Sequence, residues 1–316
     1  MALETVPRTR RAGIALAAVT AVVSGCAIYL NGFGVRAWVG AGVSTTAYTT
    51  AKNLVAALAL LGLAAVAVRR RRAGARAALI PPRDTWLRLG IIGIIGGAIP
   101  FVLFFEGLAV ASSGQAALLH KTLLIWVALL AIPLLGERIN GWHVAALGLL
   151  VAGQIEMAGG ITDLALGRGE LMILAAAVLW SVEVAVAKRV LATVPAATVG
   201  VARMGIGVIV LFGWLVVSGG FAGMAALSGS EWGWIVITGG SLTAYVATWY
   251  AALARAQAVD VTAVLVFGGV ITALLRYGID HAALPSAVGL GLVGAGAAVA
   301  AGAALRHGRG SGELSV

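Results

Sequence analysis

Residues 114–158 read GQAALLHKTLLIWVALLAIPLLGERINGWHVAALGLLVAGQIEMA, two apolar stretches parted by the polar turn Gly136-Glu137-Arg138-Ile139-Asn140. A helix needs about 20 predominantly apolar residues to cross the hydrocarbon core of a bilayer. Residues 114–135 and 141–158 each supply such a run, and the turn between them is short enough to make them antiparallel neighbours. That reading sets the class of fold: helices made to cross a membrane.

The same rhythm extends in both directions. Upstream, apolar runs occupy residues 12–31, 46–68 and 88–109, the last separated from 114–135 by Ala111-Ser112-Ser113-Gly114. Downstream, runs fall at 170–188, 197–218, 232–254, 259–279 and 285–305. The chain of 316 residues is 61% hydrophobic and only 11% charged. Soluble domains carry roughly a quarter charged residues, so the composition independently points to a multispanning membrane protein of ten helices. Its net charge of +10 does not indicate nucleic acid, because the basic residues stand in short loops and tails beside lipid head groups and no soluble basic face exists.

Those basic residues orient the chain. With the N-terminus inside, 16 of the 22 Lys and Arg lie on the inner side, among them Arg8, Arg10, Arg11, the run Arg69 to Arg72, Arg138 and Lys188. Only Arg36, Arg168 and Arg276 lie outside, and Lys52, Lys121 and Arg203 lie within spans. The positive-inside rule therefore places both termini in the cytoplasm. Arginine outnumbers lysine 19 to 3, a bias that fits a GC-rich bacterial genome and hence a bacterial plasma membrane. The single cysteine, Cys26, excludes an intrachain disulfide and a multi-cysteine metal site. Val23-Ser24-Gly25-Cys26 has the form of a lipoprotein signal, but the apolar run continues through Leu30, and a first spanning helix is the better reading.

Two halves, residues 1–160 and 161–316, echo each other in order. Ser24 and Asn31 parallel Ser181 and Lys188, Lys52 near the start of the second span parallels Arg203 in the seventh, and Leu108 to Ala111 parallels Leu253 to Ala256. Five spans per half is an odd number, so the second half enters from the opposite face. Inverted repeats of this kind recur in secondary transporters, whose binding sites lie near the midplane where the repeats meet.

Three features resemble the EamA-like branch of the drug/metabolite transporter superfamily. They are Phe105-Glu106-Gly107-Leu108-Ala109-Val110-Ala111 leading through the fourth span to Leu135-Gly136-Glu137-Arg138-Ile139, the helix from Leu174 to Arg189 with Trp180 in its middle, and the basic residues Lys52 and Arg203. Two places depart from the pattern. Lys121-Thr122 and Phe267-Gly268 stand where the family often has proline, and the second half shows Asp280-His281 in place of Gly-Glu. The resemblance implies a ten-helix transporter of small metabolites with a cavity between the repeats.

A charge at a helix centre costs about 2.5–3.5 kcal/mol, so Lys52, Glu106, Lys121, Glu156, Glu183 and Arg203 must pair, reach an interface or face the interior. The expected pairs are Glu106 with Lys121 or Lys52, and Glu183 with Arg203. Candidate substrate or coupling residues are Glu106, Gln115, His120, Lys121, Trp180, Glu183 and Tyr250. Lys52 and Arg203 are candidate charge partners or helix anchors. Gln115, one turn before His120-Lys121, shares a face suited to a carboxylate. Trp180 and Tyr250 suit stacking on a planar substrate or packing on neighbouring helices. Trp38, Trp86, Trp142, Trp232 and Trp234 fall near predicted interfaces, as in aromatic belts. Gly93 with Gly97, and Gly294, Ala298 and Gly302, repeat every four residues as helix-contact surfaces.

No phosphate-binding loop, His-Glu-x-x-His or Gly-x-Ser-x-Gly motif is present. The expectation is therefore a non-enzymatic secondary transporter, an exporter of an amino acid, amine or drug-like compound, with protons as the candidate coupling ion. It needs no cofactor or metal, contacts lipid, and is a monomer or homodimer. The alternative is an integral-membrane enzyme acting on a lipid-linked substrate.

Overall fold

The structure, a computed structural model, describes residues 5–70, 83–111, 118–160 and 166–306. Helices account for nearly all of it: α1 (Thr5–Gly40), α2 (Thr45–Arg70), α3 (Arg83–Gly97), α4 (Ile99–Val110), α5 (Leu123–Leu135), α6 (Gly141–Met157), α7 (Arg168–Val190), α8 (Ala196–Val217), α9 (Gly229–Leu253), α10 (Ala258–Leu265), α11 (Gly268–Asp280) and α12 (Ala287–Arg306). A helical turn at 118–121 precedes α5. Because α3 with α4, this turn with α5, and α10 with α11 form interrupted rods, the described residues make ten rods, and no strand occurs among them. Among the described residues, eight helical stretches are long and apolar enough to cross a membrane. The other two rods are α6, with 17 residues at the lower end of the usual spanning length, and α9, rich in Ser, Thr, Gly, Trp and Tyr.

Boundaries differ from expectation where polar groups find partners inside a helix. The first helix is expected at 12–31 but runs to Gly40. Asn31, the last residue of the expected span, donates to the Ala27 carbonyl one turn back at 2.7 Å within the continuing helix, and Gly34 leaves room for the Tyr48 side chain, which a Cβ at that position would meet.

The rod expected at 88–109 is interrupted at Ala98 (φ −132°, ψ −75°), where Pro100 in the first turn of α4 supplies no amide hydrogen. The fourth and ninth rods are broken without proline. Thr122 N–H turns to the Leu119 carbonyl, and Phe267 and Gly269 N–H turn to those of Val264 and Val266, three residues back instead of four. The Thr122 hydroxyl also donates to Leu119 O at 2.7 Å.

The core sits between the halves. The principal packings join α1 to α9, α4 to α7, α2 to α8, α3 to α8, α2 to α9, α5 to α7, α1 to α11, α5 to α10 and α6 to α12. If each rod is exchanged for the one five places along, each of these packings maps onto another of them or onto itself, whereas the packing of α10 on α12 has no comparably close counterpart between α5 and α6 among the described residues. That is a pseudo-twofold relation between the halves. Glycine sets several of these distances: a Cβ on Gly97 would fall 2.2 Å from the Arg203 carbonyl, and one on Gly153 would fall 2.7 Å from Val293.

Gly93 also packs closely, against Ile206, whereas of the triplet Gly294, Ala298 and Gly302 only Gly294 meets a neighbour among the described residues, Phe267, with Ala298 exposed and Gly302 facing nothing within 4 Å. Trp38 is not a belt residue. It is fully buried and donates its indole N–H to the Glu231 carbonyl at 2.9 Å, whereas Trp86, Trp142 and Trp232 are exposed.

Candidate functional site

Trp180 and Glu183 stand one turn apart on α7 and so share a face. Glu183 is 2% exposed. Its Oε1 accepts a 2.6 Å hydrogen bond from the Tyr250 hydroxyl of α9, and its Oε2 lies 4.0 Å from Nε of Arg203 on α8. At that distance the ion pair is coulombic, without a direct hydrogen bond. Arg203 Nε has no hydrogen-bond partner among the described residues, and Nη1 reaches the Met204 sulfur at 3.5 Å. The expected pairing of Glu183 with Arg203 is thus present, with guanidinium donor capacity left over.

The first half closes on this pair through the break at Ala98. Gly96 lies against it: a Cβ there would stand 2.5 Å from Glu183 Cγ and 3.1 Å from Arg203 Nε. The Trp180 indole N–H donates to Gly96 O at 3.1 Å, a carbonyl just before the interruption. Around Trp180 the rings of Phe101, His120 and Phe104 lie at 5.4, 5.4 and 5.8 Å, His120 and Phe104 are 5.0 Å apart, and Arg203 lies 5.9 Å from the Phe101 ring. An aromatic wall from α4, the 118–121 turn and α7 therefore adjoins a buried ion pair, an arrangement able to hold a planar or polar small molecule. Nothing in the sequence marked Phe101 and Phe104 for this role beyond their aromatic spacing.

Lys52 and Glu106 do not pair. Lys52, 5% exposed, donates to Asn31 Oδ1 at 3.1 Å and sits 5.4 and 5.7 Å from the rings of Tyr48 and Phe105. The Tyr48 hydroxyl donates to Thr238 at 2.9 Å. Glu106, next along α4 from Phe105, is exposed, and among the described residues no ion pair joins it to Lys52 or Lys121. Neutral groups and ring faces solvate Lys52 instead. Lys121 reaches α11, its Nζ 3.8 Å from the position of a Cβ on Gly269. Gln115 lies outside the described residues. Glu156, near the end of α6, is exposed.

A second polar group gathers at the end of the bundle that holds the start of α1 and the end of α12. Asp260, fully buried, receives Arg10 at 2.9 Å and lies 3.0 Å from His143 Nε2. Glu137, in the turn singled out by the Leu-Gly-Glu-Arg pattern, accepts the Ala258 and Val259 N–H groups at 2.6 and 3.2 Å, and so caps α10. Burial raises the Glu137 carboxyl above its usual range, opposed by those two hydrogen bonds and by Lys188. Lys188 donates to the Leu253 and Ala256 carbonyls, each at 2.5 Å, and Arg189 donates to Leu134 O at 2.8 Å. Six helices of both halves are tied here: α1, α5, α6, α7, α9 and α10. Asp260 is not among the residues singled out in the sequence; its position in the first turn of α10 was the available signal.

Among the described residues no three His, Cys, Asp or Glu side chains gather as a metal site. The sequence model of the EamA-like transporter family matches residues 11–157 and again 167–302. A solved protein chain with 24% sequence identity superimposes with a TM-score of 0.71, covering 92% of this chain and 98% of its own, and so shares the fold. No curated protein sequence matches.

Proposed function

Because the chain belongs to the EamA-like transporter family, we propose that it is a secondary transporter, an exporter that moves a small metabolite (an amino acid, amine or drug-like compound) by alternating access around Glu183, Arg203 and Tyr250. Ten spans in two inverted repeats, with both termini in the cytoplasm of a bacterium, complete the reading. It draws support from the pseudo-twofold packing and from the distribution of basic residues.

One observation carries the proposal. A carboxylate and a guanidinium, each less than a tenth exposed, meet between the halves beside an interrupted helix and an aromatic wall. Two buried charges that meet each other only through a 4.0 Å contact form a weak static pin, because their desolvation offsets much of their attraction. They suit a site where a substrate or a proton completes the partnership. Protonation of Glu183 would release Arg203 to an arriving polar group, and loss of the proton would draw it back, coupling occupancy to the pH gradient. The network of Arg10, His143, Asp260 and Glu137 is then the closed gate on the cytoplasmic side.

The test is an uptake screen in proteoliposomes over metabolite classes, with and without an imposed pH gradient. Saturable flux of at least one class that collapses with the gradient is expected. Vesicles inert across broad substrate pools would overturn the transporter reading and favour an enzyme on lipid-linked substrates.

A further inference from the structure

Gly269 opens α11 immediately after the break in the ninth rod, and two side chains from the first half converge on its bare face. A Cβ built on Gly269 would lie 3.8 Å from Lys121 Nζ and 3.9 Å from Gln154 Nε2, with no other atom of a neighbouring element within 4 Å among the described residues. Gln154 Nε2 is out of reach of solvent and has no hydrogen-bond partner among the described residues. Lys121 also forms no ion pair there. Thus an ammonium and an amide NH2, contributed by the 118–121 turn and by α6, face the bare side of Gly269, and among the described residues the buried amide NH2 has no acceptor. Donors left unsatisfied in such surroundings are costly. A ligand that brings a negative charge and two acceptor oxygens would satisfy both.

We propose that Lys121, Gln154 and the open face of Gly269 form an anion subsite that receives the carboxylate of the transported metabolite. The assignment rests on the transporter reading and adds to it a substrate class and a specificity residue, Gln154, that the sequence did not single out. His120, next to Lys121, belongs to the aromatic wall around Trp180, so a carboxylate held at Gly269 leaves the rest of a substrate directed toward that wall.

The experiment is equilibrium binding of radiolabelled benzoate to the full-length protein in lipid nanodiscs, with benzamide and chloride as competitors. Saturable binding displaced by unlabelled benzoate and not by either competitor is expected. Gln154→Leu should weaken it about tenfold or more, as loss of a charge-assisted hydrogen bond does. Gly269→Ala should abolish it. Its methyl group would meet both donors at ordinary contact distances, so it fills the opening without displacing them, and alanine is the better helix former, so the variant folds. Absence of saturable benzoate binding, equal displacement by benzamide, displacement by chloride (a site for an adventitious inorganic ion only), or unchanged binding in Gly269→Ala would each overturn the assignment. Gradient-dependent flux of a neutral or cationic compound, unaltered in Gly269→Ala, would sink this subsite while leaving the transporter reading intact.

Discussion

The Tyr250 hydroxyl donates a 2.6 Å hydrogen bond to Glu183, joining α9 to α7 at the one place where a buried acid also faces Arg203. Tyr250 is fully buried, so this bond both fixes the carboxylate and leaves its second oxygen turned to the guanidinium. Tyr250→Phe removes the hydroxyl and keeps the ring. A hydrogen bond to a charged group contributes about 1.5–3 kcal/mol, so the variant should show a lower melting temperature in detergent and a reduced transport rate. An unchanged melting temperature would mean the bond adds nothing to the folded state.

Glycine spacing makes a sharper steric prediction. Gly97→Ala would drive a methyl to 2.2 Å from the Arg203 carbonyl, whereas Gly205→Ala on the same helix as Arg203 meets nothing within 4 Å. The first should cost about 1–3 kcal/mol or more through overpacking. The second should be neutral or slightly stabilising, because alanine favours the helix. Thermal unfolding of the two variants side by side checks the contrast.

Much of the arrangement was legible in the sequence, and the exceptions share a cause. Apolar runs and short polar turns located the rods because the bilayer demands about 20 residues of each. Trp38 misled, since the rule that places Trp at an interface assumes solvent, and its side chain found a partner inside the bundle. Pro100 was a visible signal for the break at Ala98, but Thr122 and Phe267 break their helices with none. Glu183 and Arg203 were expected to pair from their opposite charges within spans, and they meet in the structure. The expected partner of Glu106 was not found, because depth along a helix says nothing of which face a side chain takes. Gln154 went unnoticed because a lone amide acquires meaning only beside Lys121 and Gly269.

Arg10 and Asp260 tie the first helix to the ninth rod. Removing one member of a buried pair typically costs about 3–5 kcal/mol, and the partial exposure of Arg10 (18%) places this pair toward the lower end. Asp260→Asn and Arg10→Ala should each destabilise. The double variant should cost less than their sum, with a coupling energy of about 0.5–3 kcal/mol. Strict additivity would show that the two act independently.

Glu137 holds the start of α10 through two amide hydrogens, and burial raises its carboxyl. A carboxyl raised on folding binds its proton more tightly in the native state. Its contribution is therefore fully present at pH values below the ordinary carboxylate range and is lost as pH climbs through the raised folded value. Glu137→Gln cannot titrate, so the melting temperature of the wild type relative to this variant should be highest at acid pH and shrink upward through that window. A difference that grows with pH would reverse the sign and contradict the burial argument.

Flux through Glu183→Gln, measured in proteoliposomes at matched protein content against the wild type, bears most directly on the claim that a buried acid between the halves couples transport. Gradient-driven flux should fall by at least about tenfold, the scale set by loss of one charge-assisted interaction, while exchange of substrate across an unenergised membrane persists. Wild-type flux with undiminished response to the pH gradient would remove Glu183 from the mechanism.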